Sequence, residues 1–274
     1  MTGWNNKENL LLLFLTIICA SLIHLASNTF NDYYDFIHGS DNKDTKITPF
    51  SGGSGLIVDG KLSSREVLLI SIVLTAAALV TGLGVLNVSP ANPLIVMLLG
   101  LAGFLLGFCY TASPFKLVYR GLGEVVIFIA FGPLPVLTAF YILGGELSNL
   151  PLIASLPPGI MTCAILWINQ FPDFETDAQA GKTNLLVRMG TERGRYVYYA
   201  LVGVSAGVIC LGTYFGQLPN GSIWALLYLA PSGAASLLLH KNYDDGQKLV
   251  PAMGLTVAAQ SVMTVLMIVA VIFQ

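Results

Sequence analysis

Charge is what this chain of 274 residues has least of: Asp, Glu, Lys and Arg make up 10% of it, against about 25% in soluble domains. With 55% of the residues hydrophobic, a soluble fold is excluded, and no nucleic-acid partner is expected. The alternating polarity of a membrane β-barrel is also missing, and an open sheet cannot satisfy its backbone in lipid. Cysteine is scarce, and Cys19, Cys109, Cys163 and Cys210 all lie in apolar segments without metal-ligand spacing. They read as small buried thiols. No soluble domain, low-complexity tract or short-period repeat is present. The first apolar segment lacks the basic flank and small-residue cleavage site of a removable signal.

What remains is a series of long apolar segments at roughly 10–30, 67–89, 93–112, 122–143, 152–171, 197–216, 221–240 and 252–273. Each is near the ~20 residues needed to cross the hydrocarbon core. The expectation is an all-α fold, a polytopic bundle of eight transmembrane helices forming a single domain over 1–274. Lys43, Lys46, Lys61 and Arg65 fall in the first loop, Lys116 and Arg120 in the third, Lys182, Arg188, Arg193 and Arg195 in the fifth, and Lys241 and Lys248 in the seventh. The intervening loops have neither Lys nor Arg. By the positive-inside rule the four basic loops are cytoplasmic. Gly103 and Gly107, four apart in the third segment, fit close helix packing.

The few acids are grouped. NDYYD follows the first apolar run, and Asn31 and Asp35 within it are four apart, so a continuing helix carries both on one face about 6 Å apart at Cβ. Asp41 follows beyond Gly39. The fifth segment ends in WINQFPDFETDAQAGK, where Asn169, Asp173 and Asp177 are again spaced by four and share a face on a continuing helix. Pro172 leaves the carbonyl of Ile168 without its helical donor, as a kink near the acids or as a plain helix stop. Topology demands Lys and Arg, not spaced Asp clusters, and ionisable groups at membrane depth mark function. Carboxylates on two helix ends suit Mg²⁺, a hard cation that binds through a few carboxylates plus substrate phosphates. Without a cation the acids would repel a phosphate; with one they form a diphosphate clamp. A lipid-soluble substrate bearing such a head is a polyprenyl diphosphate.

NDYYDFIHGSD and DFETDAQAGK resemble the two Asp-rich motifs of the UbiA superfamily of intramembrane prenyltransferases. SGGSG (51–55), YTASPFKLVYRGLGE (110–124) and GKTNLLVRMG (181–190) extend the likeness. Gly39 at the position of a further Asp, with Asp41 two residues on, is similar to the MenA-like branch, the 1,4-dihydroxy-2-naphthoate polyprenyltransferases. The resemblance implies that Asn31, Asp35, Asp41, Asn169, Asp173 and Asp177 hold Mg²⁺ against the diphosphate. It implies Asp35, Asp173, Lys116 and Arg120 as catalytic residues, with Lys46, Tyr110, Lys116, Tyr119, Arg120 and Lys182 binding the prenyl diphosphate or a small aromatic acceptor. Departure of the diphosphate leaves an allylic carbocation that the electron-rich ring attacks, with loss of the acceptor's carboxylate in this branch. Tyr34 is a further candidate to line the site and stabilise the cation. SGGSG either lets backbone approach a ligand or is a plain loop, and His38 reads as a solvated surface residue.

The family normally has nine helices, so the eight segments correspond to helices two to nine. The first helix is apparently absent, by truncation or by nature, and eight helices with the basic loops inside leave both termini outside. Rival readings are the same fold acting on a hydroxybenzoate, a carotenoid, an ether-lipid glyceryl phosphate, or a haem or chlorophyll precursor. A cation transporter is the alternative of another class, against which all the acidic clusters lie at one membrane face.

Overall fold

The computed structural model describes residues 7–42, 48–50, 53–144 and 149–273, and among these every regular element is helical. Helix α1 (Lys7–His38) is followed by α2 (Ser64–Val88), α3 (Pro93–Thr111), α4 (Gly123–Phe131), α5 (Pro133–Ile142) and α6 (Asn149–Asn169). Two short helices, α7 (Phe174–Gln179) and α8 (Leu185–Met189), lead into α9 (Thr191–Tyr214), α10 (Leu229–Asn242) and α11 (Val250–Ile272). Taking α4 with α5, and α10 and α11 with the 3₁₀ turns before them, eight stretches of 19–30 residues are long and apolar enough to cross a membrane. Leu79, Val80 and Leu237 point outward at 66–68% exposure, as expected of helices solvated by lipid tails. The chain is an integral membrane protein.

Local signals set the helix starts. Ser63 Oγ accepts the Glu66 N–H (3.3 Å) while Glu66 Oε2 accepts the Ser63 N–H (2.7 Å), a reciprocal cap on α2. Asn92 caps α3 with Pro93 at its first position. The fourth span breaks where no break was expected: Gly132 has φ −118° and ψ −100°, because the following Pro133 disfavours helical backbone before it. A Cβ on Gly132 would lie 2.9 Å from the Cα of Gly159, so the break lets α4–α5 close on α6. The seventh span also departs from a uniform α-helix, its first turns over Asn220–Tyr228 being 3₁₀.

The main core lies among α6, α9, α10 and α11, around the fully buried Trp167, Tyr198, Tyr228, Met253 and Met263. Its polar tips are satisfied: Trp167 Nε1 donates to the Gly194 carbonyl (2.8 Å) and Tyr228 OH to the Val202 carbonyl (2.6 Å). A smaller cluster of Leu12, Val85, Val96 and Ile142 joins α1, α2, α3 and α5. Gly107 meets Ser27 of α1, whereas Gly103 faces Leu134 of α5, so the two glycines serve different neighbours. Of the cysteines only Cys163 is buried, and Cys210 is exposed on the outer face, against the expectation of four buried thiols.

Candidate active site

Helix α1 continues through NDYYD to His38, and this carries Asn31 and Asp35 to one wall of a cavity. Asn28, three residues before Asn31, lines the same wall. The helix stops at Gly39, whose φ of +82° suits glycine. The chain then folds back, so that the Asp41 N–H reaches the Asp35 carbonyl at 3.2 Å. The turn brings Asp41 to the cavity despite its irregular spacing. Gly53, at φ +66°, lies so near that a Cβ there would collide with the Asp41 carboxylate and sit 3.2 Å from Asp32 Oδ1. Gly53 therefore brings backbone against the acids, and the Ser54 N–H bonds Asp32 (3.3 Å).

The opposite wall differs from a continuous helix over 169–177. Helix α6 ends at Asn169, and Pro172 acts as a stop. The Ile168 carbonyl is not left free; it accepts the Phe171 N–H in the tighter turn (3.4 Å). Asp173 opens α7, and Asp177 lies one turn into it. Asn184 caps α8 with its Oδ1 on the Val187 N–H (2.8 Å) and gives its Nδ2 to Asp177 Oδ2 (2.9 Å). Asn169 Nδ2 reaches across to the Phe50 carbonyl (2.8 Å). Although the helix is broken, Asn169, Asp173 and Asp177 all face Asn31, Asp35 and Asp41 across one cavity of about 320 Å³.

Among the described residues Lys182 is the cation of this cavity. Its side chain is 14% exposed, with Nζ 3.3 Å from Asp177 Oδ1 and 3.7 Å from Asp35 Oδ2. Burial alone would lower its pKa, but Asp35 and Asp177 outweigh burial and hold the ammonium well above its usual range. Burial, with neighbouring carboxylates, pushes Asp41 and Asp173 up to about 7. Asp177 is also raised by burial in spite of Lys182. Oδ1 of Asn31, of Asn169 and of Asp173 are buried without a hydrogen-bond partner among the described residues. Lone oxygen acceptors beside proton-hungry carboxylates make a site that gains from a positive ligand. Among the described residues no three of His, Cys, Asp and Glu converge closely enough to hold a metal by themselves.

Not every residue singled out from the sequence lines this cavity. Tyr110 does. Tyr119 stands behind it, donating to Asp35 Oδ1 (2.8 Å) and bonded to Ser40, with Lys182 Nζ 5.5 Å from its ring centre. Burial and Asp35 hold the Tyr119 phenol above its ordinary range. Lys116 and Arg120 are not among the lining residues. Lys116 lies over the Tyr119 ring (5.2 Å), and the exposed Arg120 donates to the Pro114 carbonyl (2.8 Å). Lys46 lies outside the described residues. Tyr34 stacks on His38, and His38 bonds Ser113 (3.1 Å). His38 is thus packed between Tyr34 and Tyr119 rather than solvated. Asn28, Gln170, Thr176 and Asn184 line the cavity without having been foreseen; the three-residue spacing of Asn28 and Asn31 signals the first, and the other three lie inside the motif stretches 167–182 and 181–190.

Eight membrane-length helices, with two acid-bearing turns facing each other across one cavity, define a polytopic membrane protein with a carboxylate-lined pocket. The chain matches the UbiA prenyltransferase family over residues 1–255 and belongs to it. It is 32% identical over 203 residues to UbiA prenyltransferase domain-containing protein 1 of Danio rerio, covering 74% of this chain and 58% of that one. It is 32% identical over 251 residues to the chloroplastic 2-carboxy-1,4-naphthoquinone phytyltransferase of Arabidopsis thaliana, covering 87% and 62%. With 1,4-dihydroxy-2-naphthoate octaprenyltransferase of Escherichia coli (strain K12) it shares 28% identity over 240 residues, covering 87% and 75%. The chain thus spans about three-fifths of the length of the first two relatives. The structure of a UbiA homolog from Archaeoglobus fulgidus bound to DMAPP and Mg2+ aligns with a TM-score of 0.51 at 18% identity, covering 96% of both chains. That likeness shows the fold.

Proposed function

We propose that the chain transfers a polyprenyl group from a polyprenyl diphosphate to an aromatic acceptor, 1,4-dihydroxy-2-naphthoate with loss of its carboxyl group as carbon dioxide, giving demethylmenaquinol, the reduced form of demethylmenaquinone. The observation that carries this reading is the meeting of Asn31, Asp35 and Asp41 with Asn169, Asp173, Asp177 and Lys182 around one cavity. The naphthoate relatives supply the choice of acceptor. The cavity lies at the end of the bundle that carries the basic loops, which makes it cytoplasmic by the positive-inside rule.

The family's Mg²⁺ fits the residues present. The unpartnered oxygens of Asn31, Asn169 and Asp173 are hard donors, and Asp35, Asp41 and Asp177 stand beside them. That no three-acid cage forms among the described residues agrees with an ion that keeps waters and takes further oxygens from a phosphate. When bound, Mg²⁺ neutralises the diphosphate so that it can leave. The chain's own residues do the rest. Lys182 donates to the diphosphate oxygens, and Asp35 and Asp177 orient its ammonium. Phe50, Val118 and Leu166 in the wall exclude water from the allylic cation, while the tail lies among apolar helices. The acceptor ring then forms the new carbon–carbon bond and sheds carbon dioxide.

The test is incubation of purified protein in detergent with Mg²⁺, labelled polyprenyl diphosphate and a panel of acceptors, with product mass as readout. A prenylated, decarboxylated naphthoate product is expected, and Asp35→Ala and Asp173→Ala should each abolish it. Product formed only with a hydroxybenzoate, a carotenoid or a lipid acceptor would replace the naphthoate. Cation flux in vesicles without any transfer would replace the enzyme with a transporter.

A further inference from the structure

One polar group in the cavity wall belongs to neither acidic motif. Gln170 is 6% exposed and lines the cavity. Its Nε2 donates to Glu124 Oε1 (3.0 Å), while its own Oε1 is buried without a partner among the described residues. Glu124 sits in the first turn of α4. A carboxylate only accepts hydrogen bonds, so the carboxamide must turn its NH₂ toward Glu124 and its carbonyl oxygen away. The Glu124 carbonyl accepts the Cys163 thiol (3.1 Å), tying this turn to the helix that ends at Gln170's neighbour Asn169. The pair therefore fixes which end of the amide serves the cavity. That end offers nothing to an apolar tail and repels a bare diphosphate; its complement is a hydroxyl donor.

We propose that Gln170 is a specificity residue whose Oε1 accepts a hydrogen bond from a ring hydroxyl of the aromatic acceptor, with Glu124 the positioning residue behind it. This rests on the prenyl-transfer reading above. A site that hydrogen-bonds a substrate hydroxyl discriminates strongly against the analogue lacking it, because its own polar group is then left unpaired. The experiment compares kcat/KM for the dihydroxy acceptor and for an analogue lacking one ring hydroxyl, in the unaltered protein and in variants. Intrinsic ring reactivity cancels when the two preferences are divided.

Gln170→Met should reduce the preference about tenfold or more while the KM for prenyl diphosphate stays within about twofold. Glu124→Gln, which lets the amide pair turn over, should reduce it by a smaller factor. Combining Glu124→Gln with Gln170→Glu again leaves an acceptor facing the cavity and should restore it. This exchange carries the test if Gln170→Met does not fold. An unchanged preference in all variants, or a KM for prenyl diphosphate that rises in step with that for the acceptor, overturns the proposal. No transfer by the unaltered protein overturns the enzymatic reading itself, a distinct result.

Discussion

Replacing Lys182 with Met tests the electrostatics of the cavity most directly. The ammonium lies 3.3 Å from Asp177 and 3.7 Å from Asp35, whose residues are 4% and 5% exposed. At an effective dielectric constant of about 20, each attraction is worth about 4–5 kcal/mol before desolvation is charged against it. Removing one partner of a buried pair typically costs about 3–5 kcal/mol, because the remaining charge is stranded. A stranded carboxylate can escape by taking up a proton, which caps the loss. Near pH 5.5 protonation of an ordinary Asp costs about 2 kcal/mol, whereas near pH 8 it costs more than 5 kcal/mol and gives no relief. In the variant Asp177, already raised by burial in spite of Lys182, loses that cation and is raised still further above its unfolded value. Such groups favour the fold below the unfolded pKa, and that contribution is lost as pH rises through the folded pKa. Lys182→Met should therefore be destabilised modestly near pH 5.5 and by several kcal/mol near pH 8, measured by thermal unfolding in detergent. An equal shift at both pH values would show that Lys182 neutralises neither acid.

Four further outcomes follow from named groups and contacts. Asp41 and Asp173, raised to about 7, compete for protons with any cation, so Mg²⁺ affinity measured by calorimetry should climb by about one to two decades per pH unit below 7 and level off above it; a flat profile refutes this. The same shifts make the cation-free protein lose stability as pH rises from about 4 through 7, because the folded state holds protons that the unfolded chain has released. Tyr119→Phe removes the donor to Asp35 Oδ1 (2.8 Å) and should cost about 1.5–3 kcal/mol in the unfolding assay, with slower transfer; full stability and turnover would show the bond to be dispensable. Gly246→Ala places a Cβ against the Pro172 backbone, 2.8 Å from its nitrogen, and should destabilise by about 1–3 kcal/mol while impairing transfer through the adjacent Asp173; unaltered turnover would refute the link.

The spans were legible in the sequence because length and apolar composition suffice to make a helix in lipid, where the backbone has no other way to satisfy itself. The interruptions were less so. Pro133 marks the break at Gly132 locally, but the close approach of Gly159 that the break permits comes from another helix, and no local pattern announces a partner 27 residues away. Among the basic residues, position along the chain could not separate Lys182, which enters the cavity, from Lys116 and Arg120, which turn to Tyr119 and Pro114. All three lie in loops that topology alone would fill with Lys and Arg. Gln170 looked like an ordinary polar residue beside Asn169, since the feature that distinguishes it is the Glu124 carboxylate contributed by α4.

Spacing by fours pointed to the acids, yet the site is built where that spacing is broken. On an unbroken helix Asn169, Asp173 and Asp177 would form a stripe rising about 6 Å per four residues, with its last carboxylate carried away from the membrane and into water, and Asp41, six residues beyond Asp35, would fall on a different face. Gly39 folds the chain back so that Asp41 returns to Asp35, and Pro172 ends α6 so that Asp173 and Asp177 ride on a separate short helix. Both breaks exchange a solvated stripe for a concave wall. The raised pKa values of Asp41, Asp173 and Asp177, the acids lying beyond the breaks, are the electrostatic trace of that exchange. Replacing Gly39 with a residue that resists positive φ should cost only about 1 kcal/mol, since a Cβ there meets nothing within 4 Å, but it should move Asp41 and lower its pKa toward that of a solvated carboxylate.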